Sequence, residues 1–571
     1  MKIRKLFALL AAICLLLTGC EGTQMLEELL QQYAAMGNDR SAYEAMVPFD
    51  QIEYVRPDLD EIRAQAKKAT AMLTDGSSES QVIAALDACN VLYYRFDTMY
   101  TLADIRACQN TADAYYAKEY AQCMSDAALV DQIYSDLYSA CANSAMAKEL
   151  EDDYFGEGFV DAYGGDYAGY PDELVALMQQ ESDLISQYRA VTADATVEYG
   201  GKEVSYDELY ADMTMSDDQW LQVQTAYYDK YAPTLGNIYI QMVKVRNQMA
   251  TFMGYDGYED YAYECVYGRD YTPRQTEKLL EQIRQHLAPV YAGLQSSGAI
   301  DDMIYTPLTE DALMARLAKA AQGMGGDIWQ AWQFMQQYGL YDVSVSSTKA
   351  PMSFEDYLDS YEAPYLFVDA QGDTTDLLSV GHEFGHYVDA YVNYDTTYSI
   401  ETAEVFSQSM EFLLLCALQD ENLTKYKLLD VLDTYAQQGS FAEFEHQVYA
   451  LPEDELTVER INEISLQTSK DFGYCEEGWE DCYAKSWIDI PHFFEYPFYV
   501  ISYCVSNDAA VQIYQMECKN QGDGLKEFET LLPRNYDGFL DTVVKQGGLK
   551  SPFDDGRMEE TAQLVRQFFL S

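Results

Sequence analysis

Basic residues and long apolar runs are both scarce in this sequence of 571 residues. Its 36 lysine and arginine residues stand against 95 aspartate and glutamate residues, so the formal net charge at pH 7 is −59. A surface of this sign repels nucleic acid and anionic lipid, which excludes nucleic acid as a partner. The charge could favour cationic peptides at a cleft, although a solvated acidic surface is the simpler explanation. Beyond residue 20, no stretch is long and apolar enough to span a bilayer.

Cysteine motifs are absent as well. Ten cysteines remain when Cys14 and Cys20 are set aside, and they are scattered, without a CxxC pair or zinc-site spacing. This excludes a cysteine-bound zinc site. Most of the ten lie in helical patterns, where cysteine behaves as a small buried apolar residue. Cys475 and Cys482 flank a loop-like segment, and they could form a disulfide in an exported protein.

The first 19 residues have the pattern of a targeting signal. A basic segment over residues 1–5 precedes an apolar segment over residues 6–17, which is too short to span a membrane stably. The next residues, Leu-Thr-Gly-Cys20, resemble a bacterial lipobox, which implies cleavage before Cys20 and lipid attachment to its thiol. A plain secretory leader is the alternative. The sequence thus predicts an exported lipoprotein on the extracytoplasmic face of a bacterial, Gram-positive-type membrane, with residues 20–45 as a short tether.

The periodicity of residues 46–195 predicts an N-terminal helical domain. Residues 78–147 contain neither glycine nor proline and carry apolar residues at three- and four-residue spacing, which indicates several long packed helices. The acidic segment 151–172 is rich in glycine and tyrosine and is predicted as a loop.

Residues 196–205, with Gly200-Gly201 at their centre, predict a β-hairpin, where we place the boundary of a second domain over residues 196–571. Helices are predicted from 217 to 253, from 273 to 294 and from 310 to 337. Strands are predicted at 340–345 and 364–368. The second strand is expected to be an edge strand whose free backbone groups could bind an extended chain, although a structural strand is the alternative.

The chemically most specific stretch is His382-Glu383-Phe384-Gly385-His386, an HExxH motif. Apolar residues at helical spacing surround it without proline, so the motif is predicted to lie on a helix. Two histidines four residues apart share one helix face and can bind one Zn²⁺. Glu383 could then act as general base toward the attacking water. A chance motif with solvated or core histidines is the alternative.

A catalytic zinc needs a third protein ligand and one open coordination position. Glu404 follows His382 by 22 residues in a helix predicted over residues 402–418, a plausible distance for a ligand from an adjacent helix. Glu401 and Glu411 are competitors. Glu401 lies near the helix start, where a carboxylate interacts favourably with the helix dipole. Glu411 shares a face with Glu404 and could orient a ligand histidine instead.

An aromatic stretch follows near the C-terminus. In residues 487–503, His492 is followed by Tyr496, Tyr499 and Tyr503. Hydrolysis of a peptide bond builds an oxyanion, which histidine and tyrosine donors can stabilise, although an aromatic core segment is the simpler explanation of the stretch alone. The other histidines outside the motif, His286 and His446, lie in helical patterns without partner ligands.

Taken together, the HExxH motif, Ala403-Glu404-Val405 and the segment from Ile490 to Tyr503 resemble the M3 zinc metallopeptidases, most closely the oligoendopeptidase F branch. The resemblance implies one Zn²⁺ held by His382, His386 and Glu404, with Glu383 as general base. It also implies His492 and Tyr503 as donors to the oxyanion or the substrate carbonyl, with Tyr499 as the second tyrosine candidate.

The same resemblance implies a mainly α-helical, gluzincin-type fold with a small β element before the HExxH helix and a deep channel. Such a channel admits short unfolded peptides, so the expected activity is zinc-dependent endopeptidase hydrolysis. A peptide-binding lipoprotein of an uptake system, without turnover, is the alternative. The sequence departs from the branch at Asp389, where a further histidine is common, and in a shorter loop between His386 and Glu404.

Overall fold

The computed structural model describes residues 45–164, 172–193, 195–210, 215–297, 305–394 and 399–570. The predicted signal segment, Cys20 and nearly all of the predicted tether lie outside the described residues. Among the described residues, no helix combines the length and the apolar character needed to cross a membrane.

The chain packs into two compact units, each assembled from separate stretches of sequence. The first comprises Met1–Tyr167, Ile304–Thr424 and Ala510–Leu549, and the second comprises Ala168–Met303, Lys425–Ala509 and Lys550–Ser571. The sequence-based boundary between residues 195 and 196 falls inside the second unit. The division into domains at that point therefore stays a prediction.

The first unit is helical around a small sheet. Its helices are α1 (Leu59–Met72), α2 (Glu79–Gln109), α3 (Ala114–Ala142), α4 (Ala147–Leu150), α5 (Phe159–Tyr163), α12 (Glu310–Met324), α13 (Gly326–Tyr338), α14 (Asp376–Asn393), α15 (Ile400–Leu418) and α21 (Asp523–Leu531). α1 begins directly after Asp58, because the Asp58 side chain accepts hydrogen bonds from the backbone N–H groups of Asp60 and Glu61. Helices α1 to α3 enclose an apolar core that includes Ile62, Val82 and Tyr134.

The second unit is also mainly helical. Its helices are α6 (Asp172–Ala193), α7 (Tyr206–Tyr210), α8 (Asp217–Phe252), α9 (Tyr258–Tyr261), α10 (Pro273–Gln282), α11 (Ala288–Ser297), α17 (Val458–Asp471), α18 (Glu480–Lys485), α19 (Pro491–Glu495) and α22 (Arg557–Leu570). Two further helices, α16 (Glu421–Tyr449) and α20 (Ile501–Lys519), contribute residues to both units. The prediction of a mainly α-helical protein is confirmed.

The hairpin predicted from the double glycine is present as β1 (Thr196–Tyr199) and β2 (Lys202–Ser205), paired antiparallel. Gly200 and Gly201 form its turn with φ values of 61° and 78°. A two-residue turn of this kind needs positive φ at both central positions, which glycine adopts without steric cost.

A three-stranded sheet precedes α14. It consists of β3 (Tyr341–Asp342), β4 (Phe354–Leu358) and β5 (Ala363–Phe367), in the order β3-β5-β4. The expectation that residues 364–368 form an edge strand is wrong, because β5 is paired on both sides and all five of its residues are buried. A peptide that adds a strand to this sheet must pair with β3 or β4 instead.

One further expectation is wrong. Part of the segment predicted as a loop is helical: Glu151–Phe155 form a π-helical turn and α5 follows. The reason is aromatic packing, since Phe155 and Phe159 stack at 3.8 Å and both contact Tyr138.

The disulfide between Cys475 and Cys482 does not form, because both cysteines are free. The Cys482 thiol lies 3.7 Å from the Thr225 hydroxyl, whereas the Cys475 thiol lies 3.7 Å from the Glu476 carbonyl oxygen. Most of the other described cysteines are buried, as the helical patterns predict.

Candidate metal centre

The HExxH motif lies in the middle of α14, and α14 packs tightly against α15. A glycine makes this approach possible. A Cβ atom at Gly385 would lie 2.5 Å from both the Phe406 carbonyl oxygen and the Ser407 Cα atom, far inside van der Waals contact. The two helices therefore meet backbone to backbone at this point, which brings the histidine face of α14 close to Glu404.

Three side chains from these helices converge. Glu404 Oε2 lies 3.5 Å from His382 Nε2, and Glu404 Oε1 lies 3.9 Å from His386 Nε2. One ligand atom from each residue lies within 4.8 Å of the others, and among the described residues this is the group of three able to hold a metal ion. Ligands about 2.0–2.2 Å from a tetrahedral zinc are separated by roughly 3.4 Å, so the observed distances are close to those required.

The donor set also fits zinc chemically. Two imidazole nitrogens and one carboxylate, with a position left for water or substrate, form a known type of catalytic zinc site. Burial lowers the pKa of His386 to about 4, so its imidazole is neutral and keeps a lone pair for a metal. Glu401 is buried near the start of α15 and is not part of the cluster.

Carboxylates surround the cluster and favour a positive charge within it. Burial alone would lower the pKa of His382, but the hydrogen bond to Glu411 and the charge of Glu404 outweigh burial and raise it to about 9. Glu383 is 7% exposed, and burial is the main cause that raises its pKa to about 7. A bound cation would supply the charge that the proton on His382 supplies otherwise.

Two side chains restrain members of the candidate metal cluster. His382 Nδ1 lies 3.0 Å from Glu411 Oε1, so a proton on Nδ1 is donated to Glu411 and Nε2 is left facing Glu404. The Ser407 hydroxyl lies 3.0 Å from Glu404 Oε2 and restrains that carboxylate. The role of Glu411 is suggested by its spacing from Glu404. Ser407 was not singled out from the sequence, although a hydroxyl three residues after a ligand is a usable signal.

Asp389 stands where a histidine is common in the oligoendopeptidase F branch that the sequence resembles. It is fully buried, one helical turn beyond His386. Its Oδ1 atom accepts a hydrogen bond of 3.0 Å from Arg534 Nε and one of 2.9 Å from Asn393 Nδ2. Asn393 also donates to the Leu532 carbonyl oxygen at 2.7 Å. Asp389 therefore anchors the C-terminal half of α14 to the segment at residues 532–534.

The aromatic candidates lie in the second unit and form one group. The His492 and Tyr499 rings are 5.5 Å apart, Tyr499 and Tyr503 are 5.5 Å apart, and His492 and Tyr503 are 6.4 Å apart. Burial lowers the pKa of His492, which favours its neutral form.

Long-range contacts fix the backbone of this group. The fully buried Arg246 donates from Nη1 to the Phe493 carbonyl oxygen at 3.0 Å and from Nη2 to that of Phe494. Phe498 has a φ of 63°, and its N–H donates to the buried Glu445 at 2.9 Å. A bulky residue with positive φ is strained, and such strain often occurs at functional sites. Neither the contacts of Arg246 nor the hydrogen bond between Phe498 and Glu445 was predicted from the sequence.

The remaining histidines are not part of the cluster. His446 Nδ1 lies 2.8 Å from Glu259 Oε2, so this histidine is an ion-pair partner.

A cavity of about 1160 Å³ in the second unit is lined by tyrosine and tryptophan side chains and reaches Asp489, Ile490 and Pro491, which directly precede His492.

Comparison with known proteins bears on this geometry. Residues 49–162 match the peptidase M3 N-terminal domain. The chain is also 25% identical over 356 residues to oligopeptidase PepF of Bacillus subtilis (strain 168), an alignment that covers 56% of this chain and 52% of PepF. The aligned part thus spans about half the length of this curated relative.

Solved structures of peptidases share the fold. The superposition on a structure of PZ peptidase A with an inhibitor covers 91% of this chain and 99% of the peptidase chain, with a TM-score of 0.71 and 21% sequence identity. Oligoendopeptidase F from Enterococcus faecium covers 90% of this chain and 96% of its own, with a TM-score of 0.55 and 18% identity. The resemblance to the M3 family and to its oligoendopeptidase F branch is confirmed, as is the large helical fold class.

Proposed function

We propose that this M3-type chain is a zinc-dependent endopeptidase that hydrolyses short unfolded peptides. The observation that carries the proposal is the convergence of His382, His386 and Glu404. Glu383 lies on the same helix as the two histidines, and Glu411 Oε1 lies 3.0 Å from His382 Nδ1. The M3 N-terminal domain and the likeness to oligopeptidase PepF support a peptide substrate.

The chain's own residues divide the work. A zinc ion at this site would polarise the scissile carbonyl and make the attacking water more acidic. Glu383 takes the proton from the water and passes it to the leaving amine, as a general base and then a general acid. Glu411 keeps His382 in the tautomer and orientation that a ligand needs. The buried setting of Glu383 excludes bulk water that would compete for its proton.

His492 and Tyr503 are the proposed donors to the oxyanion, with Tyr499 as the second tyrosine candidate. Their mutual packing within the second unit supports a shared role. Removal of one oxyanion donor typically costs about 10²–10³ in kcat. Tyr503→Phe should therefore lower kcat without loss of zinc. Tyr496→Phe is its control, at an exposed tyrosine whose ring lies 6.4 Å from that of Tyr499.

We further propose that the chain acts outside the cytoplasm as a lipoprotein attached through Cys20. The lipobox-like Leu-Thr-Gly-Cys20 order supports this location. Cys20→Ala should release the protein from the membrane and abolish the lipid mass. A variant that stays membrane-bound with unchanged mass would overturn the location and leave the peptidase proposal intact.

Glu383→Gln tests the chemistry. The variant should still bind one zinc per chain, because the ligands are untouched, whereas cleavage of short peptides should fall by about 10²–10⁴. Glu401→Gln is the matched control, since Glu401 is a buried carboxylate on the neighbouring helix outside the cluster. Undiminished turnover in Glu383→Gln would contradict the proposal.

A peptide-binding lipoprotein without turnover is the competing function. It predicts peptide binding that chelators leave unchanged and no products from a peptide library. Mass spectrometry of a library digest, with and without chelator, separates the two functions and reports cleavage preference as well. A folded protein substrate in the same assay tests the restriction to short unfolded peptides.

A further inference from the structure

Two cysteines face each other in the first unit, away from the metal cluster. Phe412 on α15 and Tyr514 on α20 stack with ring centroids 4.5 Å apart and an interplanar angle of 19°. Cys416 follows Phe412 by four residues and Cys518 follows Tyr514 by four residues, so each cysteine continues the helix face of its aromatic neighbour. The Cys416 and Cys518 side chains accordingly hydrogen-bond to each other across the two helices.

The pair is accessible from one side. Cys518 is exposed and Cys416 is half-buried, whereas the other described cysteines are buried, apart from Cys475. A reagent in solution can thus reach Cys518 directly, and the half-buried Cys416 is its partner.

The surroundings of the pair favour a thiolate on the exposed member. The hydrogen bond from Cys416 is the main cause that lowers the pKa of Cys518 to about 7, and the Tyr514 hydroxyl adds to it. Burial and the carboxylate of Glu517 act in the opposite direction and are outweighed. The same pairing raises the pKa of Cys416, so Cys416 keeps its proton while Cys518 is the nucleophile.

We propose that Cys518 and Cys416 form a thiol–disulfide exchange site for disulfides of small-molecule thiols. Cys518 attacks one sulfur of the disulfide, forms a mixed disulfide and releases one thiolate. Cys416 then loses its proton to solvent and attacks the Cys518 sulfur, which releases the second thiolate. The two protein thiols become one disulfide between α15 and α20, and the small-molecule disulfide is reduced to two thiols.

The first test is alkylation of the native protein with iodoacetamide at pH 7, read by peptide mass spectrometry. A thiol with pKa about 7 is half ionised at pH 7, against about 1% for the ordinary value of 9.0. A thiolate of lower pKa is less nucleophilic, here by roughly eightfold, which offsets part of the gain in thiolate fraction. Cys518 should therefore react about sixfold faster than an ordinary exposed thiol. Cys475 in the second unit is the internal reference within the same sample; because it is half-buried and burial raises its pKa, Cys518 should react at least about sixfold faster than Cys475.

The second test uses oxidised glutathione and two variants that separate the roles of Cys416. Wild type should form the Cys416–Cys518 disulfide with release of two glutathione molecules. Cys416→Ser keeps a hydrogen-bond donor, so Cys518 should remain fast but stop at the mixed disulfide with glutathione. Cys416→Ala removes the donor too, so Cys518 should also slow toward the rate of an ordinary thiol.

The wild-type measurements decide the matter even if a variant fails to fold. Alkylation of Cys518 no faster than that of Cys475 would overturn the proposal. So would a wild-type protein in which glutathione stays on Cys518 and no disulfide to Cys416 appears. Neither outcome depends on peptidase activity, so the proposed function stands or falls separately.

Discussion

Gly385 offers the sharpest test of how the fold builds the candidate metal centre. It lies between the two motif histidines, and α15 approaches it so closely that a Cβ atom would lie 2.5 Å from the Phe406 carbonyl oxygen and 2.9 Å from the Phe406 carbonyl carbon. Real Cβ atoms need about 3.4 Å or more to such neighbours. The neighbours here are backbone atoms of a helix, which cannot rotate away as a side chain can. Gly385→Ala therefore forces α14 and α15 apart.

The size of the displacement follows from these distances. Restoring van der Waals contact requires a separation of roughly 1 Å. Metal sites tolerate ligand distances that deviate by only about 0.2 Å. Because α14 carries His382 and His386 and α15 carries Glu404, a shift of that size takes Glu404 out of range. We expect a loss of zinc affinity of at least about 10–100-fold, and overpacking should cost about 1–3 kcal/mol of stability.

A second glycine on the same helix provides the control. At Gly381, the nearest atom to a new Cβ is Leu414 Cδ2 at 3.0 Å, the end of a flexible side chain, and the Glu411 Cα atom lies at 3.5 Å. Gly381→Ala should therefore be accommodated by a small movement of Leu414, and alanine is the better helix former by about 1 kcal/mol. Its zinc affinity should stay close to that of wild type.

The assay is competitive zinc titration against a chromophoric chelator, with chemical denaturation of the zinc-free proteins in parallel. The two readouts separate loss of metal geometry from loss of folding. Equal zinc affinities for Gly385→Ala and Gly381→Ala would refute the argument that backbone contact at Gly385 positions Glu404.

Three further predictions follow from single contacts. Glu411→Ala removes the carboxylate that contacts His382 and should weaken zinc binding about 10–100-fold. Glu411→Gln can still accept the hydrogen bond and should weaken zinc binding less. Equal losses of zinc affinity in the two variants would contradict this prediction. Arg534→Met leaves the buried Asp389 without its cation and should lower the free energy of unfolding in urea by about 3–5 kcal/mol. Addition of Asp389→Leu should restore most of this stability. A loss below about 1 kcal/mol in Arg534→Met alone would contradict the prediction. The hydrogen bond to Glu259 raises the pKa of His446 from 6.5 to about 9, so its stabilisation is complete below pH 6.5 and is lost as the pH rises through about 9. The gap in Tm between wild type and His446→Gln should therefore shrink from pH 6 to pH 9.5, and a constant gap would exclude this linkage.

Local patterns in the sequence predict the helices well, and they also predict the clustering of His382, His386 and Glu404. The spacing of His382 and His386 depends only on helix geometry, and the double glycine of the hairpin depends only on turn geometry. Glu404 is predictable because its helix follows the motif directly in the chain. Each of these signals lies within a short stretch of sequence.

The parts that the sequence does not predict depend on residues distant in the chain. Arg534 pairs with Asp389 across 145 positions, and Arg246 reaches the backbone next to His492 across 247 positions. The position of β5 is another example: its apolar run is equally compatible with an edge or a central strand until β4 pairs with it. Pairing of this kind leaves no periodic signal, because the partner is chosen by tertiary packing.

The arrangement of buried charge argues for a functional rather than a structural centre. Three carboxylates, those of Glu383, Glu404 and Glu411, crowd around two histidines on the packed faces of α14 and α15. Burial of like charges destabilises a fold unless a cation compensates, and apolar side chains would pack the same space at less cost. A divalent ion would relieve the repulsion, and the two histidines and Glu404 are the group that could hold it. Glu383 adds a further buried carboxylate that a purely structural metal site does not need, whereas hydrolysis needs a base at that position.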